Sequence, residues 1–251
     1  MPKFFVKTEN IIENRTIIID KDVNHIKKVL RMKQGDTLQI CNQETGQNYK
    51  CSITKLDEDK IECEIQSKLA SEAEPNLSLT IMQGLPKADK MELIIQKAVE
   101  LGVTNIIPVK MENCVVKLDN KEAGKKQKRW QTIAEVAAKQ CKRDKIPEIE
   151  NVTNLLQIEK QIPDYDMVLV AYEKEEQVHL KEKIEELKQK EKAKLKIAVL
   201  IGPEGGISPQ EIAILERAKA QTISLGKRIL RTETVAFVMT SILMYELGDL
   251  N

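Results

Sequence analysis

The sequence predicts an α/β protein in two parts, a small β-rich domain followed by an α/β domain of about twice its size. Three observations predict it. Residues 1–70 carry short runs of β-branched and polar residues at close to period two, with turn signals between them. From Leu77 onward, near-continuous apolar runs alternate with long helical patterns, as in a mainly parallel sheet covered by helices. The polar stretch Ala70–Pro75 (ASEAEP) reads as a linker and sets the domains at 1–72 and 73–251.

In the first domain the strand runs are Thr16–Ile19, Thr37–Ile40, Tyr49–Ile53 and Ile61–Ile65. Gln34-Gly35-Asp36, Glu44-Thr45-Gly46 and Asp57-Glu58-Asp59 supply turns. Asp22–Arg31 places Val23, Ile26, Val29 and Leu30 at helical spacing, so a helix is expected against a small barrel. In the second domain the strands are Leu77–Gln83, Asn105–Val109, Met167–Tyr172, Leu195–Ile201 and Thr222–Leu225. Between them come a helix ending at Leu101 with Gly102 as its C′ residue, one around Lys125–Arg143, and a charged one near Glu175–Glu191. A helix then follows Ser208. The last helix is apolar almost all round (Val235, Phe237, Val238, Met239, Ile242, Leu243, Met244, Leu247), which suits burial against the sheet, a partner subunit, or both.

Composition excludes several functions. A chain of 251 residues buries roughly 70–75% of its unfolded surface and folds without disulfides or metal. The net charge of +1 argues against a uniformly basic coat, and eight aromatic residues leave little for base-stacking platforms. Five widely spaced cysteines form no CxxC pair and read as reduced cytosolic thiols. The start lacks the apolar core of a signal peptide, and Val235–Leu247 is too short to span a bilayer. A cytoplasmic protein without membrane or metal is expected. With only His25 and His179, a Ser-His-Asp triad is nearly excluded, and GxxxxGK[ST], GxSxG and HExxH are absent.

Three regions carry chemistry. In Lys196–Ile212 an apolar strand ends at Ile201, Gly202-Pro203-Glu204-Gly205-Gly206 follows, and Ser208-Pro209-Gln210-Glu211 reads as a capping box opening a helix. Glycines at a strand's C-terminal end allow backbone to approach a ligand closely, although a tight strand–helix turn uses them too. The second region is Gly226–Arg231, where apolar Ile229 and Leu230 lie between Arg228 and Arg231, a mixture that suits an adenine or a core anchor. There Thr232 is placed to cap the last helix and Glu233 lies in its first turn. The third is Lys110–Lys145, with an excess of six positive charges, a stripe for phosphates or a solvated helix. The Glu/Lys run Glu173–Lys196 has mixed signs and reads as a solvated helix.

The motifs GPEGG-x-S-x-x-E (Gly202–Glu211) and SLGKRILRTET-x-A (Ser224–Ala236) resemble the RsmE family of 16S rRNA uridine N3-methyltransferases in the SPOUT superfamily. HIKKVLRMKQGD at His25–Asp36, KADKMELIIQKAVELGV at Lys87–Val103 and RWQTIAEVAAKQCKRDKIPEI at Arg129–Ile149 agree in order. The resemblance spans nearly the whole chain. It implies a PUA-like β-barrel, a SPOUT α/β domain with a C-terminal trefoil knot, S-adenosylmethionine as cofactor, small-subunit ribosomal RNA as substrate, and a homodimer. Carried over, the cofactor site comprises Ala171, Tyr172, Ile201, Gly202, Glu204, Gly205, Gly206, Leu225, Gly226, Ile229, Leu230 and Arg231. RNA contacts are expected from Lys3, His25, Arg31, Lys87, Lys90, Lys117, Arg129 and Lys142. Lys3 stands where the family usually has Arg, Val235 where it has Ala, and Cys114 where Ser is common. None of these strikes the glycine loops.

Methylation at N3 requires loss of a proton and support for the resulting anion. Arg231, joined by Arg143 from the basic helix, is the expected cation. Glu233 is either the proton acceptor or a carboxylate that only favours the helix start. Two other readings stand beside this one: a SPOUT enzyme acting on a ribose 2′-OH or another base, and a non-catalytic RNA-binding protein.

Overall fold

In the computed structural model, which describes residues 1–71 and 73–250, the chain forms two units. The first comprises Met1–Glu74 together with Ala138–Ile146. Its strands are β1 (Lys3–Val6), β2 (Ile11–Ile12), β3 (Arg15–Ile19), β4 (Thr37–Asn42), β5 (Asn48–Leu56) and β6 (Lys60–Leu69). They form one sheet ordered β1-β4-β5-β6-β3-β2, antiparallel except where β1 runs parallel to β4. Period-two alternation puts Leu38, Ile40, Cys51, Ile53, Ile61 and Cys63 inside, with Phe4, Val6 and Ile18.

The expected helix over Asp22–Arg31 is one turn of α-helix, α1 (Lys21–Asn24), followed by a π turn over His25–Val29. The wider turn breaks the 3.6-residue spacing. Val23 and Ile26 reach the core, whereas Val29 and Leu30 face out at 70% and 40% exposure.

The segment Ala138–Ile146 lies outside the expected span of this domain and supplies its buried charge. Asp144, 2% exposed, binds the Lys3 ammonium, accepts from Asn48 Nδ2 at 2.5 Å and Ser71 Oγ at 2.7 Å, and receives the Ala73 N–H at 3.2 Å. Burial pushes its carboxyl up, but Lys3, Asn48 and Ser71 outweigh that and hold it below the usual range. Arg143, 4% exposed, pairs with Glu74 at 2.7 Å. The arrangement corrects two expectations. Lys3 and Arg143 are buried counter-ions of this unit, not surface cations. Charge counting along the sequence does not see the carboxylates that meet them.

The second unit, Pro75–Ala137 with Pro147–Asn251, is an α/β layer. Its strands are β7 (Ser78–Gly84), β8 (Asn105–Lys110), β9 (Glu148–Ile149), β10 (Thr153–Asn154), β11 (Met167–Ala171), β12 (Lys196–Ile201) and β13 (Gln221–Ile223). The order is β10-β8-β7-β12-β11-β13, with β9 alongside β8, and every pairing is parallel. The helices are α2 (Lys90–Glu100), α3 (Asn120–Gln140, which ends in the first unit), α4 (Leu155–Gln161), α5 (Leu180–Lys188), α6 (Pro209–Arg217) and α7 (Thr232–Leu247). Strands β9 and β10 and helix α4 are too short to show a period in the sequence. Helix α5 begins later than its charge pattern suggests, because Glu175 Oε1 accepts the Gln177 and Val178 N–H groups at 2.9 and 3.1 Å and holds a turn there.

Helix α7 buries Val235, Ala236, Met239, Thr240, Leu243 and Met244, while Phe237, Val238 and Ile242 stay half-buried and Tyr245 is 62% exposed. Among the described residues no helix is long and apolar enough to cross a membrane.

Candidate functional site

The parallel strands of the second unit end together, and the loops that leave them enclose a cleft of about 950 Å³, within the range of small-molecule sites. All twelve residues expected at the cofactor line this one cleft, contributed by the ends of β11 and β12 and by the loops 202–207 and 224–231. Along the sequence they fall in three separate groups, at 171–172, 201–206 and 225–231; the parallel order β12-β11-β13 makes them neighbours.

The first loop is set by its own chain. The capping box forms as expected, with Ser208 Oγ accepting from Glu211 N at 3.3 Å and Glu211 Oε2 from Ser208 N at 3.0 Å. Glu211 Oε1 also receives the Glu112 N–H at 2.9 Å. Asn113 Nδ2 donates to the Gly205 and Gly206 carbonyls at 3.1 and 3.3 Å. A Cβ at Gly205 would stand 2.8 Å from Asn113 Cβ, and one at Gly202 2.8 Å from Ile207 Cγ1. These glycines admit the close approach of protein to protein in the tight strand–helix turn, and both also line the cleft. Gly226 is the open one: its φ is +96° and nothing lies within 4 Å of a Cβ placed there.

Thr232 differs from expectation too. It begins α7 without capping it, and its hydroxyl donates to Gly202 O at 2.7 Å while accepting from Gln83 Nε2 at 2.8 Å. The start of the last helix is thereby tied to the ends of β7 and β12. Gly84, beside it, was invisible to motif reading. A Cβ there would lie 2.8 Å from Pro203 N and Cδ and 3.0 Å from Ile201 O, all backbone or ring atoms that cannot give way. Gly84→Ala is expected to cost about 1–3 kcal/mol by overpacking and to displace the loop after β12. Thermal unfolding and ligand calorimetry check this, and unchanged values in both would show that the contact yields.

Charges of both signs line the cleft: Glu173, Glu175 and Glu176, and Lys227, Arg228 and Arg231. Glu175 is held below the usual carboxylate range by the Gln177 N–H, then by the Thr222 hydroxyl at 2.8 Å and the Val178 N–H. Lys90 bridges Glu204 at 2.9 Å and Glu233 at 3.1 Å, which pushes its ammonium up, Glu204 contributing first. Burial raises the Glu204 carboxyl, but Lys90 and backbone N–H groups, including that of Lys87, bring it below its ordinary value. Ile229 is 87% exposed. Of the remaining expected RNA contacts, Lys87 and Lys117 are exposed in this unit, as is Arg129, which pairs with Glu92 at 2.8 Å; His25, Arg31 and Lys142 are exposed in the first unit.

The sequence profile of an RNA methyltransferase domain matches residues 73–244, and that of an RNA methyltransferase PUA domain matches residues 18–66. The Bacillus subtilis protein named ribosomal RNA small subunit methyltransferase E is 34% identical over 98% of this chain and 97% of its own length. The chain belongs to the ribosomal RNA small subunit methyltransferase E family. A Buchnera aphidicola family member is likewise 34% identical, over the whole of this chain and 98% of its own. A Neisseria gonorrhoeae member, whose crystal structure is described as bound to S-adenosyl methionine, is 29% identical, covers 100% of both chains and superposes with a TM-score of 0.85. Like its relatives the chain is an RNA methyltransferase with an N-terminal PUA-like domain.

Proposed function

We propose that the protein transfers a methyl group from S-adenosylmethionine to N3 of a uridine in small-subunit ribosomal RNA. The observation that carries this is the cleft at the C-terminal ends of β11 and β12, in a family with a cofactor-bound member. The residues suit that cofactor. Leu225, Leu230 and Val235 offer apolar surface to an adenine, Gly226 leaves its backbone open, and the lining carboxylates Glu173, Glu175 and Glu176 suit a cationic ligand. S-adenosylmethionine supplies an electrophilic methyl carbon on a sulfonium.

The protein has to bring a uracil N3 into line with that carbon, which provides most of the acceleration. Arg231 holds a uracil oxygen and balances the charge that N3 gains on losing its proton. Glu233 receives the proton through a carboxylate already fixed at the start of α7. Arg143, buried against Glu74 in the first unit, has no part in this scheme. The RNA backbone is gripped by Lys87, Lys117 and Arg129, with His25, Arg31 and Lys142 from the first unit.

Two finer features belong to the same reading. A trefoil knot is supported by the path of residues 223–232. Ser224 N donates to Val178 O at 2.8 Å, Tyr172 N to Ile223 O at 3.2 Å, and eight residues later Thr232 reaches Gln83 and Gly202. A chain leaving the edge strand β13 and arriving there has to cross the end of β11, beside the 172–179 loop that departs from it. A homodimer is supported by the half-exposed apolar face of α7, and light scattering is expected to return twice the chain mass; a monomer mass overturns it. The base is tested by mass mapping of ribosomal RNA from a deletion strain. Loss of one methyl at a uridine N3, restored by the intact gene, upholds the reading. A full set of uridine methyls with one missing elsewhere overturns it.

A further inference from the structure

We infer that Lys90 is a positioning residue for the reaction, its ammonium shared between Glu204 and Glu233 so that the Glu233 carboxylate stays aimed to accept the N3 proton. The inference rests on the uridine N3 reading and gives the same site a second, supporting member. Lys90 is the first residue of α2, whose Met91, Ile94, Ile95, Ala98 and Val99 are buried. A cation at a helix N-terminus opposes the helix dipole, so helix stability does not account for this residue. Nor does solvation: its side chain is 29% exposed, against full exposure expected of a surface lysine, and it lines the cleft.

The two carboxylates are not equivalent. Glu204 receives the Lys87 N–H on both oxygens, at 3.2 and 3.2 Å, so it is held without Lys90. Glu233, with its side chain 14% exposed, has Lys90 as its ion-pair partner, and its Oε2 makes no directed hydrogen bond among the described residues. Both acids touch one nitrogen, which brings their nearer oxygens within about 6 Å of each other. Like charges so close repel, and the ammonium between them holds the two carboxylates in place. The groups facing Lys90 are Glu204 from the loop after β12 and Glu233 from α7; on its own helix Glu92 is taken by Arg129.

The Glu233 carboxylate takes the proton as the N3–H bond breaks and an O–H bond forms, and the electron pair stays on N3. Negative charge passes from carboxylate to base with no change in the net charge of the site, so the neighbouring ammonium stabilises both states.

The test uses the full chain acting on small-subunit particles, with Lys90→Met, Lys90→Arg, Glu233→Gln and the Lys90→Met/Glu233→Gln double variant. Lys90→Met is expected to lower kcat by about tenfold or more while KM for the particle stays within about twofold. Cofactor affinity by calorimetry is expected to stay within about twofold. Lys90→Arg restores most of the turnover, and Lys90→Met adds no further loss once Glu233 is Gln. An unchanged kcat in Lys90→Met overturns the role, as does a failure of Lys90→Arg to restore turnover or an equal loss in the Glu233→Gln background. The wild-type product is identified by mass in the same assay. A methyl away from N3 overturns the base reading, whereas N3-methyluridine with an unchanged kcat in Lys90→Met overturns the role of Lys90 alone.

Discussion

Arg231→Ala is expected to lower kcat by roughly 10²–10³-fold, equivalent to about 2.7–4 kcal/mol of transition-state stabilisation. The guanidinium stands exposed on the wall of the cleft, immediately before α7, and among the described residues no ion pair engages it. It is therefore free to meet charge that develops on the base. Because that charge is greatest after the proton leaves, the loss should fall on kcat more than on cofactor affinity, which is expected to change less than about tenfold. Arg231→Lys should recover only part of the rate, since an ammonium cannot bind two acceptors in one plane. Single-turnover methylation and cofactor calorimetry check both parts. Unchanged turnover in Arg231→Ala removes the residue from the mechanism.

Asp144→Ala is expected to destabilise the first unit by about 3–5 kcal/mol, the cost of leaving a buried charge without its partner. The Lys3 ammonium, with a side chain 3% exposed, would lose its counter-ion, and Asn48 and Ser71 would lose an acceptor. Denaturant unfolding followed by probes in each unit measures it, since two units need not unfold in one transition. The pH dependence has a definite sign. The folded carboxyl lies below its unfolded value, so its contribution is complete above about pH 4 and disappears as pH falls through the folded value. Wild type should lose more stability than Asp144→Asn on acidification below about pH 4. Equal acid sensitivity in the two proteins would show that Asp144 carries no such linkage.

These two sites were legible in the sequence to different degrees. The strand ending at Ile201, the Ser208–Glu211 capping box and the apolar last helix follow from local chemistry: burial, capping and period are properties of a few adjacent residues. They appear in the structure as written. The same holds for the alternating core of β4, β5 and β6, where period two puts every second residue inside. Lys3 and Arg143 show the opposite case. Each is an ordinary basic residue in its own window, and each is a buried counter-ion once Asp144 and Glu74 arrive from far along the chain. Gly84 and Thr232 are also silent locally, because what constrains them is Pro203, Gly202 and Gln83.

An α/β domain behind a small β domain, the strand ends and loops that carry the cleft, and the family the motifs resemble are all written in local patterns. All of these depend on contacts between residues close in the chain or on patterns repeated along one element. Which charges are exposed, which glycines answer to protein and which to open space, and that Lys90 stands between two carboxylates are settled by folding. The reason is that electrostatic and steric effects act over a few ångströms in space. The parallel strand order β7-β12-β11 places residues 90, 204 and 233 within that distance, and no local pattern encodes that order.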